Sequence, residues 1–138
     1  MEIPDTVRAF LSARRFGVLA TIHADSRPHQ TVMWYLLRDN AIILNTAVGR
    51  VKHRHLLRND WASLCVADGY RYATVAGHAT LIDDPVTAQA DIRALAIRYE
   101  GEEKGNRQAE EQFSKQQRVT IHVEIEQLFT YGIGDANG

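Results

Sequence analysis

The stretch from Ile42 to Asp60, IILNTAVGRVKHRHLLRND, changes character at its middle. It opens as a β-branched apolar run and breaks at Ala47-Val48-Gly49. It then resumes as a basic segment in which Arg50, Arg54 and Arg58 recur every four residues. A strand therefore feeds a helix that carries a positive stripe. A glycine just before a helix start leaves backbone N–H groups open, and the helix dipole places partial positive charge there. Arg50, Lys52 and Arg54 add full charges. Such a corner suits a phosphate. The same spacing also describes an ordinary solvated outer face. Asn45 and Thr46, polar groups closing an otherwise apolar strand, favour a ligand site.

Upstream, residues 4–15 carry a helix pattern, with Pro4 and Asp5 as start signals and Val7, Phe10 and Leu11 at helical spacing. Phe16 to Ala24 (FGVLATIHA) is rich in β-formers and predicts a first strand. Asp25-Ser26-Arg27-Pro28 is turn chemistry, and His29 to Leu37 (HQTVMWYLL) predicts a second strand. Asp39-Asn40 marks a tight hairpin into Ala41 to Thr46, so a three-stranded meander is expected to lead into the basic helix.

Downstream, Asn59-Asp60 ends that helix. Trp61 to Ala67 predicts a strand, Asp68-Gly69 a turn, and Tyr70 to Ile82 a long strand with Gly77 as a bend or bulge. Asp84-Pro85 opens a helix whose inner face is formed by Val86, Ile92, Leu95, Ala96 and Tyr99. Residues 100–117 are charged and glutamine-rich, read as a surface loop and a solvated helix anchored by Phe113. From Val119 to Ile125, Val and Ile alternate with Thr120, His122 and Glu124, predicting a last strand with one core face and one wet face. The pattern is mainly β with flanking helices: a six-stranded antiparallel barrel, in one domain over residues 1–138.

Hydrophobic residues make up 45% of the 138 and charged residues 24%, so the chain can fold but has little mass to enclose a cofactor unaided. A homodimer sharing its site eases that limit. The formal charge of -1 provides no global attraction to nucleic acid or anionic membrane, so anion binding has to be local. The opening MEIPDTVRAFLSARRFG is broken by charges, unlike a signal peptide, and no window has the apolar length of a membrane span; a cytoplasmic protein is expected.

Cys65 is the single cysteine, which excludes an intrachain disulfide and a CxxC site, and it reads as a small buried strand residue. His23, His29, His78 and His122 fall on different predicted strands, and His53 and His55 point in different directions on a helix. No metal site is expected. No GxSxG elbow supports a hydrolase. The ending GIGDANG from Gly132 opens no helix and reads as a frayed terminus, while Asp83 and Asp84 read as helix-start signals. Trp34, Tyr35, Tyr70 and Tyr72 suit either stacking on a planar ligand or filling a barrel core or interface.

Four stretches carry a family resemblance: GVLATIHADSRPHQTVMWYLL (Gly17 to Leu37), ILNTAVGRVKHRHLLRND (Ile43 to Asp60), YRYATVAGHATLIDDP (Tyr70 to Pro85) and RVTIHVEIEQLFTYG (Arg118 to Gly132). Their order and spacing resemble the flavin-binding split-barrel superfamily that includes pyridoxamine 5'-phosphate oxidase. Within it, they resemble the branch that uses the deazaflavin coenzyme F420. The resemblance implies a split β-barrel of the FMN-binding type, assembled as a homodimer with two cofactor sites at the interface. It implies that Thr46, Arg50, Lys52 and Arg54 hold the cofactor phosphate and that the ring lies along Val32, Met33, Trp34 and Asn45. Tyr70 and Tyr72 of the partner subunit are then expected to approach that ring.

The implied activity is hydride transfer between F420 and an electron-poor C=C or related small organic substrate. An FMN-dependent oxidoreductase resembling pyridoxamine 5'-phosphate oxidase is the alternative, and a non-catalytic flavin or haem binding protein is a third reading of the same fold. Val32 stands where many relatives have proline, and His55 where they have asparagine. The chain also lacks the tryptophan and arginine-rich ending that pyridoxamine phosphate oxidases use for substrate.

Overall fold

The computed structural model describes residues 1–134. The opening helix α1 (Asp5–Ser12) precedes β1 (Gly17–Ile22), β2 (Pro28–Met33), β3 (Leu36–Arg38) and β4 (Ala41–Ala47). The basic helix α2 (Val51–Arg58) leads to β5 (Trp61–Asp68) and β6 (Arg71–Ile82). Helices α3 (Pro85–Glu100) and α4 (Glu102–Glu111) and a 3-10 turn (Phe113–Lys115) follow, then β7 (Arg118–Glu124) and β8 (Gln127–Tyr131). Every strand pairing is antiparallel, and the path runs β2-β1-β5-β6-β7-β4-β3, with β8 joining at β6. This is the curled, split barrel with flanking helices that the pattern predicts. It holds eight strands among the described residues rather than six.

The additional strands arise at two places. His29 to Leu37 is not one strand, because Trp34 and Tyr35 break it and enter different apolar clusters. Tyr35 is fully buried in the barrel, its hydroxyl donating to the Leu11 carbonyl at 2.8 Å, while Trp34 packs toward α3. As a result β2 pairs with β1 (Val18 opposite Val32) and β3 pairs with β4 (Leu36 opposite Ile43), at opposite ends of the path. The expected meander is therefore not contiguous, and the Trp34-Tyr35 link spans the split. The second addition is β8, beyond the strand expected to be last. It pairs with the first half of β6 through Tyr72 to Ala76, whereas Ala79 to Ile82 pair with β7. Gly77 stands at that switch as the expected bend, where any Cβ would collide with the Glu124 carbonyl.

The barrel interior is filled by Leu19, Ile42, Leu44, Leu64, Val66, Val75 and Ile121, and α1 closes one end with Val7, Phe10 and Leu11. Each such side chain contributes about 1.5–3 kcal/mol by leaving water. Helix α3 lies over the outer face of β4 and β7 and buries Ile92, Leu95 and Ala96. Thr120, expected on a wet face, is therefore 1% exposed. Val86 falls in the helix's overhanging first turn and is 78% exposed instead of facing inward.

The charged 100–117 segment is mostly helix. Gly105 presses against the Ile97 backbone with no room for a Cβ, and Phe113 is buried as expected. Cys65 is half-buried on the outer sheet face rather than in the core. Ile133, in the supposedly frayed ending, is buried in the barrel core; the rest of that ending, residues 135–138, lies outside the described residues. Among the described residues, no helix is long and apolar enough to cross a membrane.

Candidate functional site

The apolar run of β4 ends in two polar residues because its outer face meets α3 there. Asn45 is buried, its Nδ2 donating to the Ala88 carbonyl at 3.0 Å and lying 3.4 Å from Thr120 Oγ1. Thr120 donates to Asp91 Oδ2 at 2.7 Å, and the other Asp91 oxygen accepts from Arg38 at 3.0 Å. These contacts fix the Asn45 amide so that Oδ1 faces Arg118, whose Nε donates to it at 2.9 Å. Arg118 is opposite Ala47 in the register, 6% exposed, and its Nη1 donates to Gln116 Oε1 at 2.7 Å. Its guanidinium lies 5.0 Å above the Phe113 ring.

Around Arg118 the charge is unbalanced. Burial and then the Arg50 charge push its pKa down to about 10. Lys52 is held below the ordinary lysine value by burial first, then by Arg50 and Arg118. Among the described residues none of Arg50, Lys52 and Arg118 lies within ion-pair distance of a carboxylate. Lys52 and Arg118 are thus held down beside Arg50, where a buried charge calls for an anion. Gly49 (φ 89°) turns the chain into α2, and no side chain caps that helix start, which leaves N–H groups and the positive dipole end free. The Thr46 hydroxyl is buried without any hydrogen-bond partner. A donor set of this kind fits a phosphate.

Beside these cations is a 240 Å³ cavity lined by Val32 and Met33 from the end of β2, Trp34 just after it, Asn45, Arg50 and Arg118, and Ile92, Leu95, Gln112 and Phe113 from the helical layer. Aromatic and aliphatic walls meeting a cationic corner can take a flat ring that carries a phosphate. The structure thus brings Val32, Met33, Trp34, Asn45 and Arg50 together, with Lys52 close to Arg50 and Arg118. Arg54 is exposed and braces the corner from outside, donating to the Gly49 carbonyl at 2.6 Å. Tyr70 is 92% exposed. Tyr72 stacks on Tyr131 at 6.1 Å, and both tyrosines line a separate 490 Å³ hollow with Gly69. Within one chain they do not reach the Trp34 cavity.

Arg118 is the residue of this candidate site that sequence reasoning missed. Its place depends on the β4–β7 pairing, which no local pattern encodes; the signal was a lone arginine heading an apolar alternation. The histidines also assemble more than their spacing suggests. His23, His29 and His55 pack ring against ring, with centroids 4.2–5.6 Å apart, although no metal-binding group forms among the described residues. A larger hollow of 690 Å³ opens at the far end of α2. Its charges are already engaged, Arg58 with the Ile22 carbonyl at 2.9 Å and Asp60 with His78 at 2.6 Å, so it offers no comparable anion site.

A split barrel with a cationic corner beside a ring-sized cavity fits a class of cofactor-binding proteins. The chain belongs to the pyridoxamine 5'-phosphate oxidase family, whose model matches residues 3–132. It is similar to an F420H(2)-dependent biliverdin reductase of Mycobacterium tuberculosis, with 28% identity over 130 residues, covering 92% of this chain and 87% of that one. Among solved structures, it is similar to a conserved hypothetical protein of Mycobacterium tuberculosis, with a TM-score of 0.80 and 26% identity over 94% of this chain and 84% of that one. It also shares its fold with an F420 reductase, with a TM-score of 0.74 and 24% identity over 91% of this chain and 98% of that one.

Proposed function

We propose that the chain is an F420-dependent reductase, working as a homodimer, that transfers hydride between the deazaflavin and an electron-poor C=C or related group of a small organic substrate. The observation that carries this reading is the trio Arg50, Lys52 and Arg118, without a carboxylate, beside the Trp34 cavity. The similarity to an F420H(2)-dependent biliverdin reductase supports deazaflavin as the cofactor of this reading. When bound, F420 supplies hydride at its ring C5.

The chain's own residues bind and orient. Arg50, Lys52 and Arg118 hold the phosphate with the open N–H groups of α2, and Thr46 adds its unpartnered hydroxyl. Val32, Met33 and Trp34 carry the ring edge, and the apolar walls from α3 and Phe113 exclude water from its face. Titration of the apoprotein with F420 and, separately, with FMN, followed by fluorescence or heat, tests the proposal. Preference for F420 supports it. Preference for FMN replaces it with an FMN-dependent oxidoreductase, and binding of neither refutes it.

A further inference from the structure

The break between β2 and β3 leaves the Tyr35 backbone without sheet partners just where Trp34 enters the cavity wall. One side chain from the opposite layer captures it. The Tyr99 hydroxyl, on α3, accepts from the Tyr35 N–H at 3.2 Å and lies 3.1 Å from the Tyr35 carbonyl; it donates to the Arg15 carbonyl at 2.5 Å. The Tyr99 ring lies parallel to the Trp34 indole, 5.5 Å between centroids and 5° between planes. It also stacks on Phe16 at 5.4 Å and 25°. Trp34 is thus clamped twice, through its neighbour's backbone and through its own ring.

We propose that Tyr99 is a positioning residue for the cofactor ring: it touches no cofactor but sets the orientation of Trp34, the wall against which the ring lies. The inference rests on the proposed function, because it assigns Trp34 to the ring. A packed tyrosine could fill this space by its apolar ring alone, yet only the hydroxyl satisfies the backbone released by the strand break. Loss of the ring frees the indole to rotate, and a loosened wall binds a planar ligand less well.

The test uses the full chain carrying Trp61→Phe, so that Trp34 is the only tryptophan reporter. Tyr99→Leu should shift Trp34 emission to the red and raise its quenching by acrylamide in the apoprotein. F420 affinity should fall about tenfold, while affinity for pyrophosphate, which needs only the cationic corner, stays within about twofold. Tyr99→Phe keeps the stack and loses the hydroxyl, so about a third of the affinity should remain. It also serves if the leucine variant does not fold, since Trp34 must still become more quenchable. Unchanged Trp34 fluorescence in the folded variants overturns the proposal, as does an equal loss of F420 and pyrophosphate binding. If the unsubstituted protein binds neither F420 nor FMN, the proposed function fails on its own, and the fluorescence arm still decides whether Tyr99 orients Trp34.

Discussion

Lys52 and Arg118 show how a site can oppose the stability of the chain that builds it. Both are drawn from water toward Arg50 without a compensating carboxylate, so their charged forms are disfavoured in the free protein. A lysine pKa depressed in the folded state destabilises the fold while the group is charged, and the penalty is relieved as pH rises through the depressed value. Lys52→Met should therefore leave the unfolding midpoint unchanged or raise it by a few degrees in thermal scans at pH 7, yet weaken F420 by about tenfold or more, the worth of a charge-assisted contact. For the unsubstituted protein, affinity should decline as alkaline pH neutralises Lys52, and in the variant only the decline due to Arg118 should remain. A variant that loses stability in proportion to its affinity would make Lys52 structural instead.

Helix α2 carries that site on one side and stands on the histidine cluster with the other. His55 is 5% exposed, with its Nδ1 2.9 Å from Thr21 Oγ1; His23 and His29 face it from the β1–β2 hairpin, and Arg54 and Arg58 from its own helix. Burial first, then those charges, hold its pKa below the ordinary imidazole value. Between that depressed value and about 6.5 the unfolded chain binds the proton and the folded chain does not. Stability should fall as pH drops through this window and level off below it. His78 has the opposite sign, since Asp60 raises its pKa, so the informative quantity is the difference between the wild type and His55→Gln across pH 5–8. Chemical denaturation should show the slope lost in the variant, along with about 1 kcal/mol for the broken Thr21 contact; an identical slope in both proteins refutes the assignment. This element was half legible in the sequence. The turn at Gly49 and the basic stripe are local chemistry and could be read directly. The histidine cluster and Arg118 could not, because the first needs α2 packed on the β1–β2 hairpin and the second needs β7 paired with β4. Likewise Thr120 looked wet because α3 covers it from elsewhere, and the Trp34-Tyr35 break hid inside a run of β-formers.

For the whole molecule, the decisive surface is the outside of the sheet. Val32, Val18, Cys65, Thr74 and Phe129 are directly opposed across β2, β1, β5, β6 and β8, so they form one row over five strands. Val32 is 67% exposed, Val18 37% and Phe129 59%, an apolar stripe of a kind that monomers seldom leave uncovered. A second copy is the occupant we propose, because Val32 belongs both to this row and to the lining of the cofactor cavity. Covering the row would complete the cavity mouth, and the exposed Tyr70 and half-buried Tyr72 at the β5–β6 hairpin are then available to the neighbouring site. A pair of such faces has to bury about 1,600 Å² to be stable, within the reach of one sheet face and its hairpins. Val18→Lys with Phe129→Lys places charge near one end of the row and at the other while leaving the cationic corner and the Trp34 wall untouched. In sedimentation or light scattering the wild type should run as a dimer at micromolar concentration and the variant as a folded monomer. F420 affinity in the variant should drop about tenfold or more as the open ring face returns to water. A monomeric variant that binds F420 undiminished would show that each chain forms its site alone, and a monomeric wild type would remove the dimer from the proposal while leaving the phosphate corner standing.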